Sequence, residues 1–168
     1  MAQDLPGHGG SPLRQLSVAD TLADTRAVLA DLGQAAPTLV GHSTGGWIAL
    51  HFAALSPCNA LVCLDGPTNL DWTAMGLHRE HPGWMPDPPD VRRDLASLDC
   101  PALMTFCRGN TVAEQDWMVP FRAGLCNYLA DRHPKVRVEW QSTGHMNVLS
   151  MPRQTADLIS AFLGERNA

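Results

Sequence analysis

The stretch Gly41-His-Ser-Thr-Gly-Gly46 constrains this chain more than any other. Its Gly-x-Ser-x-Gly core lies between a short β-compatible run, Ala36-Pro-Thr-Leu-Val40, and an apolar run, Gly45-Gly-Trp-Ile-Ala-Leu-His-Phe-Ala-Ala-Leu55, that reads as a buried helix. Strand, sharp turn and helix in that order are the context a nucleophile elbow requires. The serine at the apex of such a turn is forced into a strained backbone conformation. Gly41 and Gly45 are both expected there because the chain approaches itself too closely for a side chain. The turn would lift the Ser43 hydroxyl clear of the sheet edge. It would also leave the Thr44 N–H at the positive end of the following helix, aimed at any oxyanion that forms nearby.

Strands and helices alternate along the rest of the chain. Residues 5–11 form a Gly/Pro-rich loop, and Ser17 is placed to cap a helix running to about Leu32, with Asp20 at the capping-box position. Residues 59–65 are a short apolar strand ending in a carboxylate. Residues 66–99 are rich in proline and lack periodicity, so they read as an irregular lid or small cap within one domain of residues 1–168. Residues 101–107 form a second buried strand, 117–131 a helix, 136–141 a strand and 152–163 a closing amphipathic helix with proline in its first turn. Strands separated by helices pair in parallel through right-handed crossovers, which predicts an α/β three-layer sandwich with a mostly parallel sheet.

Composition narrows the functional classes. The chain has 168 residues, 45% of them apolar, and a formal charge of -5, which suits one soluble domain with a single core. Lys and Arg total 12 and are scattered, so no footprint for a nucleic acid is present. No apolar run approaches the roughly 18 residues of a membrane span, and Met1-Ala-Gln-Asp4 is not the basic start of a signal peptide. A cytoplasmic protein acting on a small molecule is the expectation. Five cysteines without Cys-x-x-Cys spacing read as reduced, mostly buried thiols. No cofactor is expected, and no metal: His78 and His81 sit three apart in the lid without further ligands, so they read as solvated surface.

A serine at its free pKa is a poor nucleophile and needs an imidazole within hydrogen-bond reach to take its proton. His145 is placed for this role, in the loop Ser142-Thr-Gly-His145-Met-Asn after the last strand, at the same sheet edge as Ser43. The other histidines belong elsewhere: His42 to the elbow, His51 to its helix and His8 to the first loop. A carboxylate that orients the base should stand between Ser43 and His145 in chain order.

These segments together resemble the α/β-hydrolase fold family over nearly the whole chain. Asp4-Leu-Pro-Gly-His-Gly-Gly-Ser11 is similar to the loop after the family's fourth strand, and residues 41–45 to its elbow. Leu64-Asp-Gly-Pro67 resembles the end of its sixth strand, residues 100–109 its seventh strand, and Gly144-His145 its final loop. Most relatives place the acid two or three residues after the glycine matching Gly109, where this chain has Thr111 and Val112. In a subset of the family the acid follows the sixth strand, where this chain has Asp65. The resemblance therefore implies Asp65 as the acid, with Asp116 and Glu114 as the alternatives.

The resemblance also implies a difference at the start. Relatives carry three strands before the loop matching residues 4–11, and the turn after the third supplies a second oxyanion N–H. An N-terminally shortened form lacking the first strands is expected here, with an open sheet edge where a homodimer could form. The activity implied is that of a serine hydrolase of small esters or related acyl compounds. The alternatives are a non-catalytic remnant or scaffold, or a cofactor-free dioxygenase of the same fold, in which serine positions substrate and histidine abstracts a proton. Trp72 and Trp84, with Met75 and Met85, suggest an apolar wall for the substrate pocket.

Overall fold

The structure is a computed structural model that describes residues 1–12, 17–66 and 91–165. Four strands form one sheet in the order β1-β2-β3-β4: β1 (Thr38–His42), β2 (Ala60–Leu64), β3 (Ala102–Cys107) and β4 (Val136–Gln141). Every pairing is parallel, with Leu64 opposite both His42 and Thr105, and Cys107 opposite Gln141. The two inner strands, Ala-Leu-Val-Cys-Leu and Ala-Leu-Met-Thr-Phe-Cys, are buried along their whole length. A parallel sheet covered on both faces calls for such nearly continuous apolar runs, broken here only by Thr105. Their side chains separate by alternation. Leu61, Cys63, Ala102, Met104 and Phe106 face one core, whereas Ala60, Val62, Leu64 and Leu103 face another.

Helices close both faces. On the first lie α2 (Thr44–Leu55), α3 (Val91–Ser97) and α4 (Val112–Arg132), which contribute Ala49, Leu50, Ala53, Val91, Leu95 and Leu129. On the second lies α6 (Pro152–Gly164), which brings Phe162, Leu158 and Ile159 against the sheet. The helix α1 (Val18–Asp31) packs Val18 and Leu22 against Trp47, Ile48 and Phe52 of α2. Ser17 caps α1: its hydroxyl accepts the Asp20 N–H at 3.3 Å. A single turn, α5 (Asn147–Ser150), precedes α6.

Two boundaries differ from the sequence reading. The segment 66–99, read as irregular, ends in the helix α3, whose Val91 and Leu95 are buried against α2. Two apolar residues one turn apart give too short a periodic signal to register as a helix; burial against α2 supplies the stability that propensity does not. Residues 67–90 of that segment, including Trp72, Met75, Trp84, Met85, His78 and His81, lie outside the described residues. The helix α4 begins at Val112, ahead of the expected Trp117. All five cysteines are free thiols. Among the described residues no helix is long and apolar enough to cross a membrane.

Candidate active site

Parallel pairing brings the C-terminal ends of all four strands to one edge, and the candidate residues gather there. Ser43 directly follows β1 and Asp65 directly follows β2. The Ser43 N–H donates to the Leu64 carbonyl at 3.0 Å, and the Asp65 N–H to the Thr105 carbonyl at 3.0 Å. Each residue thus extends a strand ladder by one step before its chain turns away. Both turn with positive φ, 54° at Ser43 and 47° at Asp65. A non-glycine residue there carries strain of about 1–3 kcal/mol, which persists only where its surroundings over-determine it.

The turn at Ser43 is as tight as the motif implies, although its glycines divide the work differently. A Cβ on Gly41 would lie 2.2 Å from the Gly45 carbonyl oxygen, whereas a Cβ on Gly45 would meet nothing within 4 Å. The second close approach belongs to Gly66, where a Cβ would fall 2.5 Å from the Ser43 carbonyl oxygen. Gly41 and Gly66 are therefore the positions that steric contact reserves. Gly45 is not reserved in this way, contrary to the sequence reading: its carbonyl lies against Gly41, but its Cβ would point into open space.

Ser43 is the N-cap of α2, yet its side chain makes no capping hydrogen bond. Its hydroxyl instead meets His145 Nε2 at 2.9 Å, and His145 Nδ1 meets Asp65 Oδ2 at 2.6 Å. A carboxylate only accepts, so Nδ1 carries the proton, and Nε2 is left as an acceptor for the Ser43 O–H. Asp65 is 1% exposed, and its other oxygen accepts the Cys107 N–H at 2.8 Å. Its own N–H also reaches the Thr105 hydroxyl at 3.1 Å. Hydrogen bonds to an ionised group are each worth about 1.5–3 kcal/mol net, which offsets the cost of holding a carboxylate away from water.

The loop that carries His145 is tied down on several sides. The Arg108 N–H donates to the Gln141 carbonyl at 3.0 Å, and the Gly109 N–H to the Thr143 carbonyl at 3.1 Å. A Cβ on Gly144 would collide with Asn110. Asn147 is fully buried; its amide donates to the Gln141 side chain and its oxygen accepts the Val148 N–H. Thr44 is the first residue of α2, so its N–H is one of the helix-initial donors that have no acceptor within the helix.

The remaining candidates fall elsewhere. Asp116 is exposed on α4, and Asp65 occupies the place beside His145 for which Asp116 and Glu114 were the alternatives. The side chain of Glu114 lies outside the described residues. His8 stays in the first loop, with Nδ1 3.0 Å from the Pro6 carbonyl. His51 meets the buried Asp94 of α3 at 2.7 Å, which links two helices away from Ser43. A cleft of about 660 Å³ runs along the outer edge of β1, between α1, Gln3 and Leu5, and reaches His42. Sequence reasoning missed Gly66, Thr105 and the Cys107 N–H. Of these only Thr105 carried a signal, a hydroxyl within an otherwise apolar strand.

Residues 1–126 match the family model described as the alpha/beta hydrolase family. The chain belongs to the alpha/beta hydrolase family. It is 42% identical to Lipase LipV of Mycobacterium tuberculosis, with 74% of this chain and 54% of that protein covered. The chain thus spans about half the length of this curated relative. The enol-lactonase of Burkholderia xenovorans LB400 shares the fold at a TM-score of 0.70 and 15% identity, covering 96% of this chain and 79% of that one. An alpha/beta hydrolase enzyme from a Medee basin deep-sea metagenome library gives a TM-score of 0.70 at 16% identity, covering 96% and 78%. The fold of this chain is the family's parallel sheet flanked by helices.

Proposed function

We propose that this chain is a serine hydrolase of small carboxylic esters, in which Ser43, His145 and Asp65 act as a catalytic triad. The supporting observation is the continuous hydrogen-bonded line from the Ser43 hydroxyl through both ring nitrogens of His145 to the buried Asp65 carboxylate. The Ser43 oxygen attacks the ester carbonyl as its proton passes to His145 Nε2. Asp65 holds the ring through Nδ1 and stabilises the imidazolium that forms. The Thr44 N–H, at the positive end of α2, faces the charge that develops on the carbonyl oxygen. His145 then returns the proton to the leaving alcohol, and water activated by the same imidazole clears the acyl group from Ser43. Esters fit best as substrates because a related protein is named a lipase and a structural neighbour an enol-lactonase.

A fluorophosphonate probe tests this reading, since it phosphonylates an activated serine irrespective of the leaving group. Covalent labelling that maps to Ser43, together with turnover of p-nitrophenyl butyrate, is the expected result. A folded protein that takes up no probe at Ser43 would refute it.

A further inference from the structure

We propose that His42 is a positioning residue that holds the peptide of His145 against the elbow, so that Ser43 and His145 keep their separation. The proposal rests on the reading of Ser43 as the nucleophile and goes beyond it. His42 Nε2 lies 2.7 Å from the backbone carbonyl oxygen of His145. A carbonyl only accepts, so this nitrogen bears a proton and donates. The two rings lie side by side, with centroids 4.8 Å apart and planes inclined by 33°.

The need for such a tether comes from exposure and from loop geometry. The His145 side chain is 45% exposed, so packing alone does not fix it. Asp65 fixes the ring at one nitrogen, and the ties of the loop described above fall on Gln141, Thr143 and Asn147 and not on the peptide of His145 itself. The bond from His42 to the backbone of the same residue supplies that tie. His42 is joined to Ser43 by a peptide bond, so the tether and the Ser43 hydrogen bond close one small ring between segments 102 and 103 residues apart in sequence. When the elbow shifts, the imidazole shifts with it. A displacement of about 1 Å between reacting groups costs roughly 10²-fold in rate, which sets the scale of what the tether protects.

The test compares His42→Leu, which keeps bulk but has no donor, with His42→Gln, whose amide nitrogen reaches about as far as Nε2. In His42→Leu, fluorophosphonate labelling of Ser43 and kcat for p-nitrophenyl butyrate should fall about 10- to 100-fold, with KM and melting temperature little changed. His42→Gln should recover most of the loss. Wild-type rates in the folded Leu variant, or a Gln variant no better than Leu, would overturn the proposal. A wild-type protein that is never labelled at Ser43 would instead sink the nucleophile reading. The contact is still testable in that case, and also where His42→Leu does not fold, from the imidazole nitrogen NMR shifts of the unaltered protein. These should report His42 protonated at Nε2, and a His42 protonated at Nδ1 alone overturns the proposal.

Discussion

Gly66 approaches Ser43 so closely that a methyl group on its Cα would lie 2.5 Å from the Ser43 carbonyl oxygen. The residue after Asp65 thus packs directly on Ser43, which couples the end of β1 to the end of β2. Gly66→Ala must push the two turns apart. Overpacking of this kind costs about 1–3 kcal/mol, and the same displacement lengthens the path from Ser43 to Asp65. Urea unfolding should report the destabilisation, and ester hydrolysis should fall by more than the population of unfolded protein explains. Gly45→Ala, whose Cβ meets nothing, serves as the control and should be mild in both measurements.

Ser43→Ala removes the hydroxyl and leaves the turn. Loss of the nucleophile in a well-studied protease costs on the order of 10⁶-fold in kcat. Stability should change by no more than about 1 kcal/mol, the worth of one hydrogen bond. The measurement is p-nitrophenyl ester turnover beside a thermal melt. Turnover that survives the substitution would remove Ser43 from the chemistry.

Asp65→Asn replaces an acceptor that faces Nδ1 with an amide that can donate to it. The His145 proton would then move to Nε2, which could no longer accept from Ser43. A wrong tautomer of this kind costs about 10⁴-fold in the protease precedent. Asp116→Asn, on the exposed face of α4, should leave the rate near that of the parent and stability within about 0.5 kcal/mol. Equal losses in the two variants would contradict the assignment of Asp65.

Burial pushes the Cys58 thiol up to about 11, with the neighbouring Cys100 adding to the effect. Cys63, fully buried beneath the elbow, is raised further for the same two reasons. A raised thiol pKa keeps the protonated form, so the thiolate that reacts with iodoacetamide is scarce at pH 8 and grows about tenfold per pH unit up to about pH 11. Alkylation of Cys58 should keep accelerating above pH 9, where an ordinary thiol levels off. Stability linked to Cys58 is fully present below about pH 8.5, the unfolded value, and is lost as the pH rises toward 11, while the loss linked to Cys63 continues to higher pH. Peptide mapping after timed alkylation at several pH values checks the first statement, and urea melts across the same range check the second.

Local signals in the chain carry the architecture. The segments 60–64 and 102–107 are apolar but for Thr105, a pattern suited to a sheet covered on both faces, and Gly41-His-Ser-Thr-Gly45 specifies a tight strand-to-helix turn through the close approach of Gly41 to the Gly45 carbonyl. Such features depend on neighbours a few residues away, so they survive in the sequence as composition and spacing. Family membership rests on the same segments, matched over residues 1–126. The short helix α3 was invisible because its helicity comes from burial against α2 and not from its own seven residues.

Only the tertiary structure decided which groups meet at the sheet edge. Asp65 and His145 are 80 residues apart, and no periodicity links them. They meet because parallel register sets Leu64 opposite Thr105 and Cys107 opposite Gln141, so that the ends of β2 and β4 share one rim. The same register brings the Cys107 N–H to Asp65, sets Gly66 against Ser43, and lays His42 under the His145 carbonyl. None of these contacts leaves a mark on local sequence, because each is a distance between chain segments that only folding brings together.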